Sequence, residues 1–181
     1  NKYTSLIVVA AFATSCSSSL APLRKDGLKP TVVTETVLHD TDDPAIWIHP
    51  TNPQESLVIG TDKDTDGGLY VFNLQGKIIK KSETIKRPNN VDIAYGLQID
   101  GVVTDIAVTT ERETKKIRIF CLPDLKPLDN GGIPVFEGEL ERDPMGIAIY
   151  TRPSDKVVFA IVGRKSGPSG SYLWQYELKG T

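Results

Sequence analysis

Three cations recur along this 181-residue chain at a spacing chemistry can use: Lys63, Arg112 and Lys165, 49 and then 53 residues apart. Brought to one place, such a set grips a polyanion, because a guanidinium forks onto two phosphate oxygens while an ammonium acts as a point charge. Lys63 sits inside GTDKDTDGGLYVF (60–72), within a D-x-D-x-D-G run of Asp62, Asp64, Asp66 and Gly67. The run has the alternating ligands of a helix-loop-helix calcium loop. Its twelfth position, where a bidentate glutamate is needed, is Asn73, and β-branched and aromatic residues flank it in place of helices. The three aspartates are left for a peripheral calcium or for turn chemistry. HDTDDP (39–44), RPNNVD (87–92) and ERDP (141–144) add Asp42, Asp43, Asn89, Asn90, Asp92 and Asp143. These are hard oxygen donors of the kind calcium takes, and they are also ordinary turn formers. Cations and carboxylates on one rim point to metal-assisted phosphate chemistry.

The elements that position these residues are short strands repeated three times. A first strand, AIWIHP (45–50), recurs as VDIAYGL (91–97) and GIAIYT (146–151). A second, SLVIGTDK (56–63), recurs as TDIAVTTER (104–112) and KVVFAIVGRK (156–165), and a third, LYVFNL (69–74), as IRIFCL (117–122) and LWQYEL (173–178). More polar fourth strands fit KIIKKSETI (77–85) and PVFEGEL (134–140), as suits an outer edge facing water. A four-strand unit repeating near every 50 residues, with no helical period, predicts an all-β propeller with about three four-stranded blades of an expected six, an open ring. The cations end the second strands. In a propeller, the loops after those strands share a face with the loops between blades, so Lys63, Arg112 and Lys165 are expected around one channel mouth.

Composition narrows the classes. Twenty-one Lys and Arg stand against 23 Asp and Glu, giving −2, with no long basic run, which argues against nucleic acid as a partner. Residues 1–16 read as a lipoprotein-type signal: Lys2, an apolar stretch from Ser5 to Thr14 too short to span a bilayer, then Ala13-Thr14-Ser15-Cys16, with Cys16 as the lipidated residue. A plain secretory signal is the alternative, and either places the protein in the bacterial cell envelope or outside the cell. Residues 17–38 read as a flexible tether and 39–181 as the folded domain. Cys121 has no partner in the mature chain and reads as a small apolar core residue. His39 and His49 read as structural or solvated.

DDPAIW (42–47), NNVDIAYGL (89–97), TTERE (109–113) and GRKSG (163–167) resemble the β-propeller phytases, over the N-terminal half of that family's six-bladed domain. The resemblance implies a calcium-dependent phosphatase of the 3-phytase type acting on phytate, myo-inositol hexakisphosphate, and monomeric when complete. In that family calcium ions bridge substrate phosphates to acidic residues, a calcium-activated water attacks phosphorus, and basic residues hold the phosphates. Carried over, Lys63, Arg112 and Lys165 are phosphate ligands. Asp43 is a calcium ligand, with Asp42, Asn90 and the carbonyls of Pro44 and Val91 beside it. The catalytic residues themselves are expected in later blades. Three positions depart from the family pattern: Asp64 where many relatives have a second lysine, Met145 in place of a phosphate-contacting tyrosine, and Ser166 in place of an acidic residue. The expected activity belongs to the full-length parent, with this piece inactive alone. The alternatives are a calcium-dependent lactonase or phosphotriesterase propeller, and an envelope propeller that binds a ligand or partner without chemistry.

Overall fold

The computed structural model describes residue 24 and residues 26–180. The signal segment and Cys16 lie outside the described residues. Two compact units divide the chain, residues 1–31 and 32–181, and every element below belongs to the second.

That unit is all-β. β1 (Thr41–Trp47), β2 (Leu57–Asp62), β3 (Gly68–Asn73) and β4 (Ile78–Lys81) form one antiparallel meander. β5 (Pro88–Ile99), β6 (Val102–Glu111), β7 (Lys116–Cys121) and β8 (Ile133–Pro134) form a second, and β9 (Pro144–Thr151), β10 (Val158–Arg164) and β11 (Leu173–Leu178) a third with three strands. The first strands of neighbouring sheets, β1 with β5 and β5 with β9, lie side by side. This is the expected partial propeller: three blades in sequence order around one axis, with the ring open.

Period-two patterning explains why the blades stack. In the middle blade Ala107 and Phe120 face the first blade, packing with Ile59, Leu69, Val71 and Trp47. Ile106, Val108, Ile117 and Ile119 face the third, packing with Val158, Ala160 and Val162. A sheet buried on both faces needs consecutive apolar residues at its centre, which Ile106, Ala107 and Val108 provide. Polar staples cross the same interface. Arg118 of β7 reaches Glu83 of the first blade while its Nε bonds the buried Asp129 at 2.9 Å, and Trp47 Nε1 donates to Asp105 at 2.8 Å.

Two expectations need correction. PVFEGEL is a strand only at its first residue, because Phe136 and Gly138 take positive φ (54° and 87°), which ends extended pairing. Phe136 instead turns inward and is fully buried against Trp174 and Tyr176. The tether assigned to 17–38 is also shorter at its distal end. Glu35 accepts from the Ile78 amide at 2.8 Å, and Val37 is buried with Tyr70 and Phe72.

Candidate functional site

The same backbone device recurs in all three blades at the end of β2, β6 and β10. The residue after each strand donates its amide to the segment entering the blade: Lys63 to the Asp40 carbonyl (2.8 Å), Arg112 to Arg87 (3.1 Å) and Lys165 to Asp143 (2.9 Å). The three cations are therefore at one topological position on one face, as their spacing predicts. Two residues further along the entering strand, each blade carries a β-bulge. The register shifts between Thr41 and Pro44, between Pro88 and Val91, and between Val162 and Arg164 opposite Ile147 and Pro144. The bulged pairs are Asp42-Asp43, Asn89-Asn90 and Met145-Gly146. A bulge re-aims side chains out of the sheet alternation, which is how adjacent residues such as Asp42 and Asp43 can both serve the rim.

Buried hydroxyls hold these bulges from behind. Thr61 and Thr110 are equivalent and fully buried. Thr61 accepts from the Asp43 amide (3.0 Å) and donates to the Asn89 carbonyl of the next blade (2.9 Å). Thr110 accepts from the Asn90 amide (3.2 Å) and donates to the Met145 carbonyl (3.0 Å). Each threonine thus ties one blade's bulge to the next. The third blade has Gly163 at this position.

Within this frame the charges sort themselves. Lys63 Nζ lies 2.6 Å from Asp42 Oδ1 and 3.5 Å from Asp40, and the Asp42 contact holds its pKa above the ordinary lysine value. Asn89 Nδ2 donates to the other Asp42 oxygen at 3.2 Å. Asp43 accepts from the Val91 amide at 2.9 Å, joining two of the expected calcium ligands directly. Asp143 pairs with Lys115, and Lys165 is exposed. Arg112 is half-buried, makes no side-chain hydrogen bond or ion pair among the described residues, and has an Nε shut away without an acceptor. Burial pushes its pKa down, and the neighbouring Arg87 charge pushes the same way, against the fields of Asp143 and Asp42. The rim is consequently unequal: a masked lysine, an unpaired arginine and an exposed lysine.

The donor set around Asp42 and Asp43 fits a hard cation. Every side chain offering a lone pair there does so through oxygen, and the buried Asn89 Oδ1 has no hydrogen-bond donor. The family resemblance implies Asn90 and passes over Asn89, since orphaning of one amide oxygen is not visible in a sequence.

The acidic loop separates into two roles. Asp62 is fully buried, and its Oδ1 accepts the amides of His39 (3.1 Å) and Asp40 (2.9 Å), so it is a turn-holding carboxylate. Asp64 and Asp66 gather with His39, their ligand atoms within 4.8 Å of one another, and His39 Nε2 is 2.7 Å from Asp66. His39 precedes the first blade, so the acidic run alone does not point to it as a partner. The residue equivalent to Asp62 is Glu111 in the middle blade, accepting the Lys86 amide at 2.7 Å, and Arg164 in the third. Arg164, itself buried, donates to Glu139 (2.7 Å), the Glu141 carbonyl and Ser171. It lines a cavity of about 580 Å³ with Glu139, Glu141 and Gly167, but Glu139 already neutralises it there.

The chain carrying this rim has counterparts in sequence among known proteins. The family model for Phytase matches residues 3–179. This chain belongs to the phytase family. A 3-phytase from Bacillus subtilis (strain 168) is 31% identical over 137 residues, covering 72% of this chain and 35% of that protein. The phytase-family chain thus spans about a third of the length of the curated relative it matches.

Proposed function

We propose that the full-length protein hydrolyses phosphate monoesters of phytate in a calcium-dependent reaction, and that this piece supplies the phosphate-gripping part of the site. The observation that carries the reading is Arg112: a half-buried guanidinium with no ion pair or side-chain hydrogen bond among the described residues, at the position the blades repeat as Lys63 and Lys165. An unpaired, partly desolvated cation on a family-conforming rim is suited to a phosphate dianion, which takes two of its donors at once.

Asp42, Asp43, Asn90 and the carbonyls of Pro44 and Val91 would hold calcium, with Asn89 Oδ1 as a further donor. When bound there, calcium supplies positive charge against substrate oxygens and lowers the pKa of water. The chain's own residues do the positioning. Thr61 and Thr110 fix the two bulges, Lys63 and Lys165 flank the anion, and Arg112 orients it. Asp64 and Met145 leave this rim with fewer phosphate contacts than the family pattern provides, so affinity for the substrate is expected to lean on Arg112. A 3-phytase preference, an envelope lipoprotein or secreted location and a monomeric full-length protein complete the proposal.

Phosphate release from phytate by the full-length protein, lost on adding a calcium chelator and restored by calcium, is the test. Activity that survives chelation sinks the calcium part. Phytate binding with no phosphate released leaves a binding propeller in place of an enzyme.

A further inference from the structure

Seven arginines occur in the chain, and five of them, Arg24, Arg118, Arg142, Arg152 and Arg164, have side-chain partners. The two whose side chains make no hydrogen bond or ion pair among the described residues are Arg87 and Arg112, and the Arg112 amide bonds the Arg87 carbonyl at 3.1 Å. Unpaired surface charge is ordinary. Two unpaired guanidiniums on directly bonded residues, both half-buried, are not.

The blade register sharpens this. The residue receiving the amide bond of the cation is Asp40 in the first blade, Arg87 in the second and Asp143 in the third. In the outer two that residue is a carboxylate next to the rim: Asp40 lies 3.5 Å from Lys63 Nζ, and Asp143 is taken by Lys115. In the middle blade the charge is inverted. Where the first blade neutralises its rim cation, this blade doubles the positive charge.

The backbone at Arg87 is held in place to do so. Its φ is +63°, an unfavourable region for a residue with a Cβ. Hydrogen bonds fix it on three sides: Arg87 N to the Asp64 carbonyl (2.9 Å), Arg112 N to its own carbonyl, and the preceding Lys86 N to the buried Glu111 (2.7 Å). A strained, like-charged arrangement that the surroundings enforce suits an anion-binding role.

We infer that Arg87 and Arg112 form a two-arginine clamp for a single phosphate group, Arg87 being a second guanidinium ligand that selects doubly charged phosphate monoesters. This rests on the proposed phosphate chemistry of the rim and adds to it a residue outside the repeated cations. With the shut-away Arg112 Nε–H set aside, the two guanidiniums still present about nine N–H donors, enough to saturate the three terminal oxygens of a bound monoester from both sides.

The test uses the full-length protein and inorganic phosphate, followed by isothermal titration, with phytate turnover measured in parallel. Arg87→Gly suits the backbone, since glycine adopts positive φ freely. It is expected to leave the melting temperature equal or higher while weakening phosphate binding about ten-fold, and to raise KM for phytate more than it lowers kcat. Arg87→Lys, keeping charge but not the fork, should fall between. Phosphate affinity unchanged in Arg87→Gly overturns the clamp, as does a loss of binding in both variants that tracks a loss of thermal stability. Wild-type protein that binds inorganic phosphate through both arginines but releases none from phytate keeps the clamp and sinks the hydrolytic reading instead.

Discussion

The ammonium of Lys63 lies 2.6 Å from Oδ1 of Asp42, so a proposed phosphate ligand is neutralised by a proposed calcium ligand. Each masks the other, and a cation arriving at Asp42 would free Lys63 for an anion. By linkage, calcium and phosphate then bind with positive coupling. Asp42→Asn removes the masking charge. Lys63 loses the main cause of its raised pKa, and its side-chain titration, followed by NMR of the ammonium group, should move down toward 10.5. The sign for stability follows from the raised value. The pair's contribution is fully present below the unfolded lysine value and is lost as pH rises through the folded one, so the Asp42→Asn variant should show a flatter alkaline limb. An unmoved Lys63 titration would contradict the pairing.

Thr61 is the hydroxyl between two blades. Thr61→Val keeps the shape but strands the Asp43 amide and the Asn89 carbonyl without their partner, which costs about 2 kcal/mol. Thr61→Ser should restore most of it. Denaturant titration of the two variants reads the difference directly, and a valine variant as stable as wild type would remove the strap from the account.

The strand repeat, the blade period and the one-face placement of Lys63, Arg112 and Lys165 are legible in the residue order because they depend on local alternation and constant spacing. What spacing cannot carry is charge pairing across the repeat. Asp42 and Asp43 look alike in DDP, yet a bulge turns one to Lys63 and the other to the Val91 amide. Arg87 precedes a proline in a turn and looks like a solvated charge until its partnerless neighbour is placed beside it. PVFEGEL reads as an edge strand because its composition is right, and only positive φ at Phe136 reveals the turn. Asp62, Glu111 and Arg164 share one position with opposite charges, so no residue-type pattern links them.

Arg164 makes a separate prediction about the third blade. Its guanidinium is fully buried, and Glu139 is the carboxylate that neutralises it. Glu139→Ala leaves a charge in the interior with only the Glu141 carbonyl and Ser171 to serve it, and is expected to cost about 2 kcal/mol. Arg164→Met together with Glu139→Leu removes both charges and should recover much of that loss. The comparison is a double-mutant cycle by thermal unfolding, and additivity between the two sites would mean that the pair is not coupled.

Arg112 and Asp66 stand on the same face, carry opposite charges and differ in what the rim asks of them. Arg112 has no side-chain partner among the described residues to lose, so Arg112→Ala removes a ligand without orphaning a carboxylate there, and the fold should keep its melting temperature. Activity of the full-length protein on phytate should nonetheless fall, with kcat/KM down roughly ten- to a hundred-fold, the range of one or two charge-assisted hydrogen bonds. Asp66 is exposed and bonded to His39 at the far end of the acidic loop, so Asp66→Ala should change kcat/KM by no more than about two-fold, since an exposed ion pair contributes little. Equal losses in the two variants would mean that the acidic loop, and not the arginine, holds the substrate, and the assignment of phosphate binding to the repeated cations would have to be abandoned.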